Sequence, residues 1–488
     1  MTRSAELNFA GQLVRRLSPN SCLIDAATGE TVPAQSFPAL VVSFATGFLS
    51  AGLKPGDRIL IGCSLSPAST LAYLGAIYAG LVPVPLEERV LSISGEPVYT
   101  TTQAKGIWTG KRIKCEWVER LGVKHFIGNV DGHSIDSFPP HASAASDLAT
   151  LMPTSGSTGT PHLVMTTHGN LTANTEAIIR SQHLGSDERA MLILPVSYCF
   201  GASVLHTHLY QGGGVVFDSR FMFPDKVLRA INTHGCTTFA GVPTVYNILL
   251  GRSNLRSIPL PNLRRFLQAG GALAPKSVQQ MREIVPTAQF FVMYGQTEAT
   301  ARISCLPPQQ LEKKLGSAGL PLDNLLVRIV DDEGQDVPAG QTGEIFVKGP
   351  SICDGYFNDP EETRHKFYDG WLKTGDMALV DNDGYLWITG RKGDFMKIRG
   401  VRVGFAEVEA VVAQIPGVCE CAATSIAHPE AGEAIVLFIV PQSGASDITT
   451  RVRSVLPPHW TCAEVKLVDE LPKTANGKIC RTILKTML

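Results

Sequence analysis

Three kinds of segment follow one another repeatedly in the middle of this chain: a short β-branched or aromatic run, a turn with glycine or proline, and an apolar pattern at helical spacing. Residues 237–240 lead in this way into a helical pattern at 245–250, and residues 265–267 lead into one at 278–284. Residues 289–294 supply a further strand pattern. This order predicts parallel strands joined by crossover helices, an arrangement in which ligands bind at the carboxyl ends of the strands.

The pattern changes after about residue 319. Residues 326–330 and 344–348 have the character of hairpin strands. Further on, residues 405–415 form an amphipathic helical pattern, and residues 434–440 read as a buried strand. A smaller mixed domain is therefore expected at the end of the chain.

We predict an α/β chain in two parts, since 488 residues exceed one ordinary compact domain. The large N-terminal domain, residues 1–390, is expected to contain mostly parallel sheets with crossover helices. Residues 391–394, polar and glycine-containing, form the predicted hinge. Residues 395–488 form the predicted small C-terminal α+β domain.

Charge and composition favour a small-molecule partner. Lysine and arginine total 43, aspartate and glutamate total 44, and no block of like charge is long enough to follow a nucleic-acid backbone. No apolar run approaches the roughly 20 residues that span a bilayer, so no membrane span is expected. Eleven scattered cysteines, an odd number, fit reduced thiols of the cytoplasm better than a disulfide framework.

A loop of small residues is the first candidate binding segment. It consists of Thr154, Ser155, Gly156, Ser157, Thr158 and Gly159. Exposed backbone N–H groups and hydroxyls suit such a loop to phosphate oxygens. The same composition is also typical of a flexible surface loop, and the loop lacks Walker spacing. Its function therefore depends on the motifs that follow it.

Four further motifs follow in order: Tyr294-Gly295-Gln296-Thr297-Glu298, Trp371-Leu372-Lys373-Thr374-Gly375-Asp376, Gly390-Arg391 and Asn476-Gly477-Lys478. With these motifs the sequence resembles the adenylate-forming superfamily of acyl-CoA synthetases, peptide-synthetase adenylation domains and luciferases. The resemblance runs from residue 53 to residue 478. It implies that a carboxylate attacks the α-phosphate of ATP to give an acyl-adenylate and pyrophosphate, after which a thiol displaces AMP.

The resemblance implies a nucleotide site. In it, Tyr294 lies against adenine, Asp376 accepts hydrogen bonds from the ribose hydroxyls, and Glu298 holds Mg²⁺, which prefers hard oxygen ligands. Beyond the loop 154–159, the residues assigned to nucleotide binding are His162, Gly270, Gly271, Ala272, Tyr294, Gly295, Asp376 and Arg391.

The resemblance also implies the catalytic groups Lys478, Thr297, Glu298 and Lys397. Lys478 would bridge the substrate carboxylate and the α-phosphate, to which Thr297 would donate. Lys397 lies in a strand and turn that would face the site in the thioester-forming orientation. A swing of the small, mobile C-terminal domain about Gly393 would exchange the two arrangements.

His162 is the largest departure from the family pattern, which usually has lysine there. Neutral histidine supplies less positive charge to the β- and γ-phosphates. The departure predicts weaker ATP binding or more reliance on Mg²⁺. It is also consistent with a tolerant, solvent-exposed loop end.

The acyl pocket begins at Tyr198, which fills the family's aromatic gate position. Cys199 follows where amino-acid adenylation domains commonly have an aspartate, so a substrate ammonium group would be buried without a partner. An aliphatic or aromatic acid is therefore favoured. Further pocket candidates are Ser203, Leu267, Ala269, Met293, Ala301 and Arg302. Arg302 is consistent with a polar substituent or second carboxylate on the acid, and equally with a surface arginine.

We predict an ATP- and Mg²⁺-dependent ligase that joins a small-molecule carboxylic acid to CoA or to the phosphopantetheine of a separate acyl or peptidyl carrier protein. An amino-acid adenylation enzyme that loads a carrier protein is the second hypothesis. A nucleotide-binding pseudoenzyme is the third, although Glu298, Asp376, Arg391 and Lys478 argue against it.

Overall fold

The computed structural model of the chain describes residues 7–129, 138–154, 162–442, 444–473 and 479–488, without the side chains of Arg402 and Thr482. Its helices, in chain order, are α1 Phe9–Arg16, α2 Phe37–Ser50, α3 Pro67–Tyr78, α4 Glu88–Thr102, α5 Glu116–Arg120, α6 His168–Gln182, α7 Cys199–Tyr210, α8 Pro224–Thr233, α9 Pro243–Arg252, α10 Pro275–Ile284, α11 Pro360–Lys366, α12 Phe405–Val412, α13 Ile448–Val455 and α14 Arg481–Thr486. Thr297–Ala299 and Pro308–Gln310 form short 3₁₀ turns.

The strands up to the first antiparallel sheet are β1 Cys22–Asp25, β2 Thr31–Pro33, β3 Arg58–Cys63, β4 Val82–Glu87, β5 Gly106–Thr109, β6 His125–Ile127, β7 Leu148–Pro153, β8 Leu163–Thr167, β9 Arg189–Leu192, β10 Gly214–Phe217, β11 Thr238–Gly241, β12 Arg265–Gln268, β13 Gln289–Tyr294, β14 Ser304–Leu306 and β15 Leu320–Pro321. The later strands are β16 Leu326–Val330, β17 Gly343–Lys348, β18 Phe367–Tyr368, β19 Trp371–Val380, β20 Leu386–Arg391, β21 Phe395–Ile398, β22 Val401–Gly404, β23 Val418–His428, β24 Gly432–Pro441 and β25 Cys462–Leu467.

The largest sheet has nine strands in the order β15-β14-β13-β12-β11-β9-β10-β1-β2. Its central strands, from β13 to β1, pair in parallel. Strand β10, Gly-Val-Val-Phe, is buried along its whole length, which explains its continuous apolar sequence. The predicted strand at 289–294 is β13, and the predicted helical segments became α9 and α10. The prediction of parallel strands with crossover helices is confirmed.

A second parallel sheet, in the order β4-β3-β5-β6, lies in the N-terminal part, beside the two-stranded antiparallel β7-β8 pair. The loop 154–159 follows β7. A third sheet contains β16-β17-β19-β18, with β20 paired to β19. The hairpin character predicted at 326–330 and 344–348 is confirmed, because β16 and β17 pair antiparallel.

The C-terminal part forms its own sheet, β22-β21-β24-β23 with β25 paired to β24. The predicted amphipathic helix is α12, which places Phe405, Val408 and Val412 in a core with strand residues of β24 such as Ile435 and Leu437. This core is separate from the main one. A large α/β part and a smaller α+β part are therefore observed, while mobility of the smaller part about Gly393 stays a prediction.

Among the residues that the structure describes, no helix combines the length and apolar character needed to cross a bilayer.

Candidate active site

Two motif residues, Tyr294 and Arg391, converge on the carboxylate of a third, Asp376. The Tyr294 hydroxyl donates to Asp376 Oδ2 at 2.6 Å, and Arg391 Nε donates to Asp376 Oδ1 at 2.8 Å. Burial, followed by the nearby Asp376 charge, raises the pKa of Tyr294 well above its ordinary value, so the phenol remains a donor. The attraction of Asp376 likewise raises the pKa of Arg391. The carboxylate is thus held in one orientation by two donors.

The strand register explains this convergence. Tyr294 is the last residue of β13, at the carboxyl end of a parallel strand, where ligands bind in such sheets. Asp376 and Arg391 face each other across the antiparallel pair β19–β20. Gly375 precedes the carboxylate with φ of 74°, a left-handed conformation that favours glycine. The Thr-Gly-Asp sequence therefore bends the strand where the carboxylate is presented.

Glu298 is buried in the 3₁₀ turn after β13, and its Oε1 accepts a hydrogen bond from the Tyr356 hydroxyl at 2.7 Å. Burial, followed by the charge of Glu298, raises the pKa of Tyr356, so this donor also keeps its proton. No cation within ion-pair distance neutralises Glu298 among the described residues. A buried carboxylate without a countercharge suits a divalent cation.

His162 is half-buried rather than solvent-exposed. Its Nδ1 lies 3.2 Å from Asp359 Oδ2, and its ring lies 5.0 Å from the ring of Tyr356. The imidazole is therefore adjacent to the tyrosine that holds Glu298. The loop end is therefore not fully exposed at His162, while its tolerance to substitution stays a prediction.

Close packing explains two glycines of the site. A Cβ on Gly295 would lie 1.9 Å from the Ala301 carbonyl oxygen, and one on Gly270 would lie 2.6 Å from the Tyr198 hydroxyl. Two buried amide atoms nearby, Gln268 Oε1 and Gln296 Nε2, have no hydrogen-bond partner among the residues that the structure describes. These glycines and unpaired amides border the Tyr294 loop, so polar groups remain available for a nucleotide.

The predicted acyl pocket adjoins the nucleotide residues. Tyr198 caps the N-terminus of α7, which begins at Cys199. Thr297 Oγ1 donates to Cys199 Sγ at 3.5 Å. Thr297, which is proposed to donate a hydrogen bond to the α-phosphate, therefore contacts Cys199, the residue at the position where amino-acid adenylation domains commonly have an aspartate.

The remaining pocket candidates are all buried: Ser203, Leu267, Ala269, Met293, Ala301 and Arg302. The Ser203 hydroxyl donates to the Phe200 carbonyl within α7, so it offers little to a ligand. Arg302 is 2% exposed and lies over the Phe200 ring at 4.9 Å. The alternative of a surface arginine is wrong.

Six of the predicted residues are not described by the structure, and others are described outside this cluster. Lys478 and the loop residues Ser155, Gly156, Ser157, Thr158 and Gly159 lie outside the described residues. Thr154 is described, and its N–H donates to the His162 carbonyl. Lys397 is exposed on β21, where its backbone N–H donates to Glu433. Gly271 and Ala272 follow β12, and the Gly271 carbonyl accepts from Gln268.

Sequence reasoning missed Tyr356 and Asp359. Each acts through a neighbour, Tyr356 on Glu298 and Asp359 on His162, and neither belongs to a motif that was singled out. Tyr356 and its partner Glu298 are 58 residues apart in the sequence. Only the tertiary structure brings such pairs together.

A polar cavity of about 490 Å³ lies at the other end of the large sheet and is lined by Asp187, Glu188 and Arg264, among others. These residues stand before the starts of β9 and β12, at amino ends of parallel strands. Arg264 pairs with Asp187, and the buried Glu188 pairs with Arg265. The charges of this cavity are thus matched internally, and the candidate active site is the cluster at the carboxyl ends.

Comparison with known proteins places the chain in a family. The model of the AMP-binding enzyme family matches residues 18–357, and that of the AMP-binding enzyme C-terminal domain matches residues 407–478. Feruloyl-CoA synthase from Amycolatopsis sp is 33% identical over 485 residues, which cover 96% of this chain and 96% of the relative. Sulfoacetate–CoA ligase from Cupriavidus necator is 30% identical over 470 residues, covering 92% of this chain and 91% of the relative.

A solved structure shares the whole fold. O-succinylbenzoate coenzyme A synthetase (MenE) from Bacillus subtilis, in complex with ATP and magnesium ion, matches with a TM-score of 0.86 at 27% identity, over 98% of this chain and 99% of that one. The family models, the relatives and the shared fold agree with the motifs. The chain belongs to the AMP-binding enzyme family, and it is an adenylate-forming acid–thiol ligase of the acyl-CoA synthetase type.

Proposed function

We propose that the Tyr294–Asp376–Arg391 cluster binds the nucleoside of ATP and that the neighbouring pocket activates an acid that is not an α-amino acid. The supporting observation is the orientation of Asp376. Tyr294 and Arg391 each engage one of its oxygens, and each oxygen has a further lone pair for a ribose hydroxyl. One fixed carboxylate can thus take both hydroxyls without losing its protein donors.

Magnesium fits the donor set at Glu298. One carboxylate oxygen is held by Tyr356, and the side chain has no cationic partner in the described part of the chain. No group of three or more ligating side chains occurs among these residues, so ATP phosphates and water would complete the coordination. A bound magnesium ion would neutralise phosphate charge. Glu298 is the residue proposed to hold it, and Tyr356 the residue that orients Glu298.

The chain's own residues have distinct roles in the first half-reaction. Thr297 lies beside the pocket and donates to the α-phosphate in place of its contact with Cys199. Lys478 sets a positive charge between the two reacting anions. The acid oxygen forms the new bond to the α-phosphorus as the bond to pyrophosphate breaks, and pyrophosphate departs with the electron pair.

Two observations disfavour an α-amino acid. Cys199 supplies no carboxylate for a substrate ammonium group. In addition, Arg302, whose pKa is lowered by burial, lies over the ring of Phe200, the residue after Cys199. A substrate ammonium there would face a buried cation of the same sign, which is unfavourable at low dielectric. An aliphatic or aromatic acid avoids both costs.

For the second half-reaction we propose CoA as the thiol, with the phosphopantetheine of a separate carrier protein as the alternative. The thiol sulfur attacks the acyl carbon and AMP leaves with the electron pair. Residues 391–394 would act as the hinge between residues 1–390 and 395–488, bringing Lys397 toward the site. None of the eleven cysteines, all of which the structure describes, takes part in a disulfide, which supports a proposed cytoplasmic location.

The test is a panel of aliphatic, aromatic and α-amino acids with ATP and Mg²⁺, in which pyrophosphate, AMP and acyl-CoA are measured with and without CoA. We expect pyrophosphate formation with a non-amino acid and, with CoA, an equal amount of acyl-CoA. Activity confined to α-amino acids would contradict the proposal and favour an amino-acid adenylation enzyme. If the adenylate reacts with a phosphopantetheinylated carrier protein but not with CoA, the thiol acceptor is the carrier protein rather than CoA.

A further inference from the structure

Arg302 is a buried cation without an anion. Its side chain is 2% exposed, and no carboxylate in the described ranges lies within ion-pair distance of the guanidinium. Within the described part of the chain, its Nε has no hydrogen-bond partner. Its guanidinium carbon lies over the face of the Phe200 ring, 4.9 Å from the ring centroid.

The backbone holds this arginine firmly in place. The Arg302 N–H donates to Asn174 Oδ1 at 3.2 Å, and the Asn174 amide donates to the Arg302 carbonyl at 2.9 Å. The next residue, Ile303, donates its N–H to the Tyr294 carbonyl at 2.9 Å. The arginine is therefore positioned directly beside the end of β13, next to the nucleotide residues.

Stability does not account for an arginine at this position. Guanidinium keeps its proton in proteins, so burial cannot be relieved by neutralisation. A cation–π contact offsets only part of the cost of removing the charge from water. An apolar side chain of similar size would pack against Phe200 without that cost. The unpaired charge therefore indicates an anionic ligand.

The geometry also indicates which part of the substrate is anionic. Phe200, whose ring Arg302 overlies, directly follows Tyr198 and Cys199 at the start of α7. Cys199 in turn accepts a hydrogen bond from Thr297, the residue assigned to the α-phosphate end. Cys199 thus links the reacting end of the pocket to the arginine end. A compact acid would reach both with groups at its two ends.

We propose that Arg302 is a specificity-determining residue that binds a second anionic group, a carboxylate or a sulfonate, at the far end of a compact acid substrate. This inference rests on the proposed function, because it assigns the substrate class of the same pocket. The planar fork of arginine suits such groups by donating two parallel hydrogen bonds. The substrate is then a dicarboxylic or sulfocarboxylic acid.

The test compares matched acids that differ in the second anion. Pyrophosphate release is measured with ATP, Mg²⁺ and CoA for monoacids from propionate to octanoate, the dicarboxylates from malonate to suberate, sulfoacetate with acetate, and the phthalate isomers with benzoate. We expect one dianionic acid to exceed its matched monoacid in kcat/KM by on the order of 100-fold. Comparison of the dicarboxylates with sulfoacetate shows whether the second anionic group is a carboxylate or a sulfonate.

Variants assign the preference to Arg302. Arg302→Met should lower kcat/KM for the dianionic acid, so that the ratio of kcat/KM for the dianion to kcat/KM for its matched monoacid falls to about one or below. Arg302→Lys, which keeps the charge but loses the fork, should retain a reduced preference. Arg282→Met removes an arginine from the surface of α10 and should leave the ratio unchanged. Thermal unfolding of each variant checks that it is folded.

Preference of the wild-type enzyme for the monoacid in every pair would overturn the inference and leave the proposed function intact. Equal loss on both acids in a folded Arg302→Met variant would also overturn it. If the methionine variant does not fold, a wild-type ratio in Arg302→Lys would overturn recognition by the guanidinium, and a reduced ratio would support it. Absence of pyrophosphate release with every acid would contradict the proposed function itself.

Discussion

The hydroxyl of Tyr294 lies 2.6 Å from a carboxylate oxygen of Asp376, although 82 residues separate them in sequence. Tyr294 ends a parallel strand of the large sheet, whereas Asp376 lies in the antiparallel sheet that follows it along the chain. The hydrogen bond therefore joins two sheets at the candidate nucleotide site. It fixes the direction in which the carboxylate faces a ligand.

Removal of the Tyr294 hydroxyl tests this link. Tyr294→Phe keeps the ring but removes a hydrogen bond to a charged group, a bond worth about 1.5–3 kcal/mol. We expect the KM for ATP to rise by roughly 10-fold or more, with a smaller change in kcat. Tyr368→Phe, at an exposed tyrosine, is the matched control. An unchanged KM for ATP would show that Asp376 needs no help from Tyr294.

Glu298 provides a test of the magnesium site. Glu298→Gln keeps an oxygen that accepts the Tyr356 hydrogen bond but removes the negative charge, so the Mg²⁺ concentration for half-maximal pyrophosphate release should rise by about 10-fold. Glu312→Gln, in an exposed ion pair, should not change it. The assignment fails if the Mg²⁺ titration curves of Glu298→Gln and wild type coincide.

His162 tests the departure from the family's lysine. His162→Lys restores a permanent positive charge near the phosphates, and the new ammonium group can still pair with Asp359. We expect the KM for ATP to fall or stay unchanged. His365→Lys, on the exposed side of α11, is the control. A large rise in KM would show that the imidazole has a positive role that lysine cannot replace.

Lys478 tests the two-step assignment. Lys478→Ala should lower adenylate formation by on the order of 100-fold, because two anions must then approach without the bridging cation. Thioester formation from a supplied acyl-adenylate should remain largely intact. Lys485→Ala, at an exposed lysine of α14, should affect neither step. Equal loss in both half-reactions would refute the domain swing.

Much of the fold was predictable where one physical rule dominates. The strand at 289–294 and the helix at 405–415 follow from apolar spacing, since each buries a continuous face. The pairing of Asp376 with Arg391 was not predictable, because it depends on the register of two antiparallel strands with a bulge between them. Motifs identified which side chains matter, but not which ones touch.

The burial of Arg302 was also not predictable from the sequence. A single arginine is usually exposed, and no local pattern distinguishes this one. Its burial results from the turn after β13, where Asn174 of α6 holds its backbone. Tertiary contacts thus decide whether a charge is a surface group or part of a pocket.

The most direct test of the nucleotide site is ATP–pyrophosphate exchange in Asp376→Asn, with the acid that gives the highest wild-type activity. The amide keeps the shape of the carboxylate but offers one acceptor oxygen instead of two, so Tyr294, Arg391 and both ribose hydroxyls cannot all be satisfied. We predict that exchange falls by on the order of 100-fold while the variant stays folded. Exchange at the wild-type rate and with the wild-type KM for ATP would contradict the assignment of this cluster to ATP.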